Sequence, residues 1–354
     1  MQTKYWHLDK RKLDMDILKE AACVIKNDGL VAFPTETVYG LGANGLSSKA
    51  VEKIFLAKGR PADNPLILHI DRQEWLNELA SEVPVTAQKL MAEFWPGPLT
   101  LVVKKAPNIP DAVTAGLATV AVRMPQHPVA LKLIELSGVP LAAPSANLSG
   151  KPSPTTAEAV KEDLAGKIEA IIDAGSTNVG LESTVVDCTT EVPEILRPGG
   201  VTEEEIARVV GRVDKAYGLQ VEKPKAPGMK YRHYAPKAPL YIVDFVVADS
   251  VLLEFLQTLL EAGKSIGVLA DAKTLAVLPS KVVGLGGWSE KEEFEYVAAN
   301  LYSWLREFDS KQVDVIIAKG VPEVGLGQAI MNRLKKAAGL KMIGSQEELL
   351  KILT

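Results

Sequence analysis

Short apolar runs alternate with amphipathic stretches along most of the chain, and that alternation leaves few folds open. "LVAFP", "LILHI", "LTLVVKK", "ATVAVRMP", "PLAAP", "IEAIIDAG" and "STVVDCT" have the length and composition of buried strands. Between them, residues 14–27, "SSKAVEKIFLAKGR", "TAQKLMAEFW", "PVALKLIELSG" and "TEEEIARVVG" read as helices. "NDG" closes the first helix, Ser47 or Ser48 caps the second, and "PGP" stops the third. Residues 211–238 lose the rhythm; they are rich in Pro, Lys and Tyr and read as a linker. After Pro239 the alternation resumes, from "LYIVDFV" through "KSIGVLA" and "VDVIIAKG" to "GQAIMNRLKKAAG". This second stretch predicts a smaller, Rossmann-like parallel α/β unit. A chain of 354 residues is therefore expected to hold two α/β domains, 1–210 and 239–354, joined by 211–238.

The bulk composition narrows the function. With 47% hydrophobic and 24% charged residues, the chain has ample material for two cores. A net charge of −4 argues against a general electrostatic grip on nucleic acid. The two cysteines, Cys23 and Cys188, form no zinc pattern and fit a reducing cytoplasm. The polar "MQTKYWHLDKRKLD" has no signal-peptide core, and no apolar run is long enough for a membrane span. "EAGKSIG" lacks the leading glycine of a phosphate-binding loop and precedes a strand, so that mechanism fails. "GLGGWS" and "GLGQAI" read as turn glycines, and no GxSxG elbow occurs.

Four polar segments carry chemistry. In "KGRPADNPL", Lys58 and Arg60 end a helix, and Asn64 stands extended before Pro65. An arginine in a stiff loop beside a mobile lysine suits phosphate, although two cations at a helix C-terminus also compensate its dipole. In "FPTETVYGLGAN", Thr35, Glu36 and Thr37 follow a strand, where α/β sheets place ligands. Turn chemistry is the plainer reading, with Tyr39 in the core. In "APSANLSGKPSPT", Ser145, Asn147, Ser149 and Ser153 gather donors after a buried strand, as a phosphate or ribose site would. The fourth group is scattered. Arg123 interrupts the apolar strand that begins at Thr119 and needs an acidic partner, from protein or ligand. Ser183 stands at a strand start, and Arg197 precedes a Pro-Gly-Gly turn. His69 has the base rate of a core histidine.

Seven motifs, "FPTETVYGLGAN", "KGRPADNPL", "FWPGPLTLV", "VAVRMPQHP", "PLAAPSANLSG", "ESTVVD" and "LRPGG", stand in the order of the YrdC/Sua5 family of L-threonylcarbamoyladenylate synthases, which this chain resembles over residues 12–210. "PGMKYRHYAP" and the second α/β stretch resemble the long Sua5 form. The resemblance implies a twisted mixed α/β sheet around a concave, positively charged cavity. It also implies a cytoplasmic nucleotidyltransferase that turns L-threonine, bicarbonate and ATP into threonylcarbamoyl-AMP and pyrophosphate. The product serves N6-threonylcarbamoyladenosine formation at position 37 of tRNA. Mg²⁺ is expected to arrive with ATP, and no residue is assigned to a metal of its own. Partners implied are the downstream tRNA threonylcarbamoyl-transfer machinery and, weakly, RNA.

The resemblance places Thr35, His69, Arg123, Ala143 and Ser183 at threonine, with Arg123 on its carboxylate. It places Lys58, Arg60, Asn64, Thr119, Ser145, Asn147, Ser153, Arg197, Tyr231 and Tyr234 on the ATP side, with Lys58 and Arg60 catalytic. The division of Lys58 and Arg60 among carboxylate, carbamate and phosphate stays open. Both are read as loop residues, whose loss would depress turnover without unfolding the chain. The segment 226–240, with Tyr231, Arg232, His233 and Tyr234 between prolines, is read as a lid over the first domain's cavity. The alternative function is binding of double-stranded RNA or tRNA on the same basic surface. A carbamoyl-transfer enzyme of the hydrogenase-maturation type would need zinc fingers, for which two cysteines do not suffice.

Overall fold

The computed structural model describes residues 1–217, 233–289 and 294–343. They form two compact units, one of residues 1–149 and 153–217 and the other of 150–152, 233–289 and 294–343.

The first unit opens with β1 (Lys4–His7), α1 (Met15–Lys26), β2 (Val31–Phe33), β3 (Gly40–Asn44) and α2 (Ser48–Lys58). β4 (Ile67–His69), α3 (Trp75–Leu79), α4 (Val85–Phe94), β5 (Leu99–Lys104), α5 (Asp111–Thr114) and β6 (Thr119–Arg123) follow. It closes with α6 (Pro128–Ser137), β7 (Leu141–Ala142), α7 (Ala157–Leu164), β8 (Ala170–Asp173), β9 (Thr184–Asp187), β10 (Glu194–Arg197), α8 (Glu203–Val210) and β11 (Asp214–Lys215). The strands make one sheet in the order β1-β8-β2-β3-β7-β4-β6-β5-β9-β10-β11. It is mixed: β4 runs parallel to β6, for example, while β5 runs antiparallel to β6 and parallel to β9.

Local chemistry sets the helix ends. Asp14 accepts the first N–H groups of α1, Ser47 caps α2, and Thr202 and Glu205 form a reciprocal capping box on α8. α2 stops at Gly59, whose φ of 60° lies in the left-handed region. The linker expected from residue 211 begins later than its composition suggests. Asp214 and Lys215 pair with β10 as the last strand, and Val213 and Tyr217 pack against the first unit's core. β1 was equally hidden, because its four residues are polar or half-exposed at the edge beside β8.

Strand periodicity gives the middle of this sheet two different faces. Leu68, Leu99, Leu101, Val103, Val120, Val122 and Val186 point into the main core. The alternate positions carry Ile67, Val102, Ala121 and Val185, a small apolar patch, interleaved with His69, Thr100, Thr119, Arg123 and Ser183. One face is thus a core and the other a polar surface on an apolar floor.

The second unit is the expected parallel sheet. β12 (Leu240–Val243), α9 (Asp249–Glu261), β13 (Ile266–Ala270), α10 (Ala272–Ala276), β14 (Val283–Gly286), α11 (Phe294–Ser310), β15 (Val315–Lys319), α12 (Leu326–Ala338) and β16 (Met342–Ile343) follow in order. The sheet runs β14-β13-β15-β12-β16, with every pair parallel. Right-handed crossovers in that order put α9 and α10 on one face and α11 and α12 on the other. Among the described residues no helix is long and apolar enough to cross a membrane.

Candidate active site

The polar sheet face meets the loop that leaves β2. Thr35 shapes this loop: its hydroxyl donates to Val38 O at 2.6 Å and accepts the N–H groups of Thr37 and Val38 at 3.2 Å. The loop is also pinned from outside. Asn178 and Val179 donate N–H to Glu36 O at 3.2 and 2.8 Å, and Gly180 donates to Thr37 O at 3.1 Å. Tyr39, fully buried, donates its hydroxyl to Gly175 O at 2.7 Å, so its core role includes fixing a second loop.

Arg123 joins face and loop. Its Nε donates to Gly97 O at 3.2 Å, Nη1 to Thr37 Oγ1 at 2.9 Å and Nη2 to Glu36 Oε1 at 2.6 Å. The acidic partner that an arginine in an apolar strand demands is therefore Glu36, a protein residue. Both side chains are buried, and such a pair fixes geometry more than it adds stability. Three of the five guanidinium N–H groups are used, which leaves two.

The network continues across the sheet. Thr100 lies opposite Arg123 on β5, and its hydroxyl meets Ser183 Oγ at 2.7 Å. Arg197 donates from Nε and Nη2 to Ser183 O at 3.1 and 3.0 Å, and from Nη2 to Ser183 Oγ at 3.2 Å. Gly199 permits this. A Cβ there would lie 2.4 Å from Glu182 O, Ser183 C and Thr184 N, so only glycine lets the turn after Arg197 run against that backbone. His69 sits beside Arg123 in the β4–β6 register, with Nδ1 3.3 Å from Ile67 O. Burial, and then the Arg123 charge, lower its pKa to about 3, so it is a neutral core imidazole at physiological pH. Ala143 is buried just beyond β7, its N–H bonded to Ile67 O.

Residues assigned to the ATP side form a second group. Lys58 is not a loop residue: it ends α2 and is only 2% exposed. Its ammonium donates to Ser145 O, to Asn147 O at 2.5 Å and to Asn147 Oδ1 at 3.5 Å. The expectation of a mobile, loop-borne lysine is thus corrected, because the chain turns at Gly59 and the stem folds back under the 145–149 loop. Ser145 Oγ donates to Asn147 Oδ1 at 2.6 Å, and Ser149 N–H returns to Lys58 O at 2.9 Å. Half-buried Arg60 donates from Nη2 to Asn64 O and Pro65 O, both at 3.3 Å, and so stiffens its own loop. Asn64 is 1% exposed, yet neither its amide nitrogen nor its amide oxygen has a hydrogen-bond partner among the described residues. A buried amide in that state is a rare and costly exception in a folded chain. Ser153 donates to Glu182 Oε1 at 2.6 Å. Thr119 shares the polar face with Arg123 but stands four residues away along β6, about 13 Å.

The two groups touch through their backbones. Gly40 bridges Ser145, Leu41 N–H donates to Pro144 O, and Ala146 N–H donates to Tyr39 O. The linker residues divide. Tyr231 and Arg232, with most of the expected lid, lie outside the described residues. Tyr234, at φ 63°, is buried in the second unit, stacked on Tyr302 at 5.3 Å with the Arg333 guanidinium 5.6 Å from its ring.

The sequence places Glu36 among the polar groups after β2 but gives it no specific role, and it does not single out His127. His127, in "MPQHP", precedes α6, is buried, and has no partner for Nδ1 among the described residues. Burial lowers its pKa to about 4, against an opposing pull from Glu36. The available signal was a polar residue inside a Pro-bounded loop after a site strand, which is weak alone. A groove of about 430 Å³, lined by Leu30, Lys53, Leu56, Ala57, Lys167 and Glu169, sits at the other ends of β2 and β8. Its Lys53 and Glu169 are occupied by Asp28 O and Leu30 N–H, which makes it a structural crevice.

Comparison with known proteins accounts for this arrangement. Residues 23–199 match the Sua5/YciO/YrdC family described as "Telomere recombination", and residues 201–339 match the "Threonylcarbamoyl-AMP synthase, C-terminal domain" family. The chain is 53% identical to the threonylcarbamoyl-AMP synthase of Pyrococcus abyssi, over 92% of this chain and 95% of the relative. It is 49% identical to that of Bacillus subtilis, over 97% of this chain and all of the relative. The solved structure of P. abyssi Sua5 complexed with L-threonine superposes with a TM-score of 0.90 at 50% identity, covering 97% of this chain and 100% of that one. The chain belongs to the YrdC/Sua5 family of threonylcarbamoyl-AMP synthases.

Proposed function

We propose that this protein joins L-threonine, bicarbonate and Mg²⁺-bound ATP into threonylcarbamoyl-AMP with release of pyrophosphate. The product would pass, in the cytoplasm, to the machinery that installs N6-threonylcarbamoyladenosine at position 37 of tRNA. The observation that carries this reading is a pair of hydrogen-bonded groups on one sheet face, Thr37–Glu36–Arg123 and Thr100–Ser183–Arg197, set side by side by the Thr100–Arg123 strand register. It puts an amino-acid-sized set of charges beside a cluster of phosphate-binding residue types. A relative 50% identical to this chain has been crystallised with L-threonine.

Each residue then has a chemical task. Arg123 offers its two remaining N–H groups to the threonine carboxylate, and Thr35, His69, Ala143 and Ser183 complete that pocket. Arg60, Arg197 and the Lys58-braced loop with Ser145 and Asn147 neutralise and orient the phosphates. Asn64, Thr119 and Ser153 hold the nucleotide. Mg²⁺ is part of the nucleotide substrate and adds charge at the β- and γ-phosphates. The threonine amine attacks bicarbonate-derived carbon to give a carbamate and water. A carbamate oxygen then displaces pyrophosphate from the α-phosphorus. No covalent enzyme intermediate is required; positioning and charge neutralisation supply the rate. Mass detection of threonylcarbamoyl-AMP, formed only when all three substrates are present, tests the reading. Pyrophosphate release that ignores threonine would overturn it.

A further inference from the structure

Glu36 carries an unusual asymmetry. Oε1 takes the Arg123 guanidinium at 2.6 Å, while Oε2, equally buried, has no hydrogen-bond partner among the described residues. The residue is 6% exposed, so water does not freely solvate that oxygen. A buried carboxylate oxygen without a donor is costly, and proteins keep such a group where a ligand supplies the donor. A second unpartnered buried atom, a nitrogen, stands within reach of its charge. His127 Nδ1 is unpartnered as well, and Glu36 is close enough for its charge to act on that imidazole. The charged groups acting on His127 are Glu36 and Lys10, and no side chain described here donates to either orphaned atom.

We propose that Glu36 is the ammonium anchor of the amino-acid site: one carboxylate oxygen fixes Arg123 and the other accepts the substrate's α-ammonium. The inference rests on the threonine reading above and deepens it. An α-amino acid bears opposite charges on neighbouring atoms, and the side-by-side Glu36–Arg123 pair presents the complementary charges at the same scale. The two unused N–H groups of Arg123 take the carboxylate while Oε2 takes the amine. Glu36 thereby becomes a specificity residue: it selects substrates with a free amino group and sets the position of the nitrogen to be carbamoylated.

The test is calorimetric binding to the full chain of L-threonine and of its hydroxy-acid analogue, 2,3-dihydroxybutyrate, in which hydroxyl replaces amine. Wild-type protein should prefer threonine by about 10- to 100-fold, the range for a hydrogen bond to a charged group. Glu36→Gln, which keeps an acceptor for Arg123, should lose that factor for threonine and leave the hydroxy acid unchanged. Equal loss of both ligands would make Glu36 merely structural and overturn the proposal. So would a Glu36→Gln protein that still prefers threonine. If Glu36→Gln does not fold, the wild-type comparison decides alone, since equal affinity for the two ligands overturns the anchor. Wild-type protein that binds no threonine at all would overturn the substrate reading first, and this inference with it.

Discussion

Replacing Lys58 with methionine separates two roles that a lysine in this motif can have. Methionine preserves most of the buried stem and removes the three ammonium donors. In the structure those donors serve Ser145 O and Asn147 O, with Asn147 Oδ1 at longer range. Leaving a buried acceptor unsatisfied costs about 1–3 kcal/mol, so two carbonyls cost about 2–6 kcal/mol. Relief from burying an ammonium offsets part of this and brings the expected loss to about 2–4 kcal/mol. For a unit of this size each kcal/mol lowers Tm by about 2–4 °C, so the first unit should melt about 5–15 °C lower.

Scanning calorimetry reads the melting, and amide exchange reads the loop. Ser149 N–H is bonded to Lys58 O at 2.9 Å, and its exchange should accelerate together with that of its loop neighbours. Turnover should fall because Ser145 and Asn147 lose their support, and Lys58→Arg should not rescue it, since a guanidinium is too broad for the two carbonyls. Lost turnover with wild-type melting and wild-type exchange would refute the reasoning. It would mean that the ammonium acts on the phosphates directly and that its carbonyl contacts are incidental.

Three further outcomes follow from particular contacts. Gly199→Ala brings a Cβ to 2.4 Å from the 182–184 backbone and should cost about 1–3 kcal/mol while raising the KM for threonine through displaced Ser183; unchanged steady-state kinetics would refute the close approach. His69 and His127 have folded pKa values lowered to about 3 and about 4, chiefly by burial, against 6.5 in the unfolded chain. Below pH 6.5 the unfolded state takes up protons that the folded state refuses. Each histidine's stabilising contribution is therefore complete above 6.5 and declines by about 1.4 kcal/mol per pH unit as pH falls toward 4. Urea midpoints at pH 7.5 and 4.5 should show a flatter slope for His69→Asn or His127→Asn, and an unchanged slope would contradict the assignment. In the second unit, Lys319 Nζ bonds Asp249 Oδ1 at 2.8 Å, Asp271 Oδ2 at 3.0 Å and Thr274 Oγ1 at 2.7 Å. Asp249 is held low first by the Lys319 hydrogen bond. Burial pushes Asp271 up, but the Thr274 N–H and Lys319 outweigh it. Lys319→Met should lower that unit's stability above the carboxylate range and flatten its loss as pH falls through it, as followed by acid titration of circular dichroism.

Local signals proved legible wherever a single segment carries its own reason. Ser47 caps α2 as its sequence indicates, because a short side-chain oxygen reaches an N–H group three residues on, and Asp14 and Thr202 cap α1 and α8 by the same local chemistry. The second unit's parallel sheet was legible for the same reason at β12, β13 and β15, which are apolar runs between amphipathic helices, whereas the two-residue β16 was not. What escaped depends on partners far apart in the chain. Glu36 and Arg123 are 87 residues apart, and only the placement of β2 near β6 makes them a pair. Lys58 and Asn147 are 89 residues apart, so the lysine looked like a solvated helix end. β11 has two residues, too few for any period to register.

The same distinction explains which site residues the motifs could not rank. A motif marks residues of the right chemical type, but ligand contact is decided by what the fold leaves unsatisfied after it has paired everything it can. Thr35, the foremost polar residue of "FPTETVYG", has its hydroxyl engaged by Thr37 and Val38. Its neighbour Glu36 keeps one buried oxygen without a donor, and Asn64 keeps a whole buried amide without a partner. A folding chain gains nothing from such atoms; each is a cost that a bound molecule can recover. On the proposed reading, Glu36 Oε2 serves the amine end of the substrate and the Asn64 amide the nucleotide end. Thr35 shapes the loop that carries Glu36, and Lys58 braces the loop that carries Ser145 and Asn147.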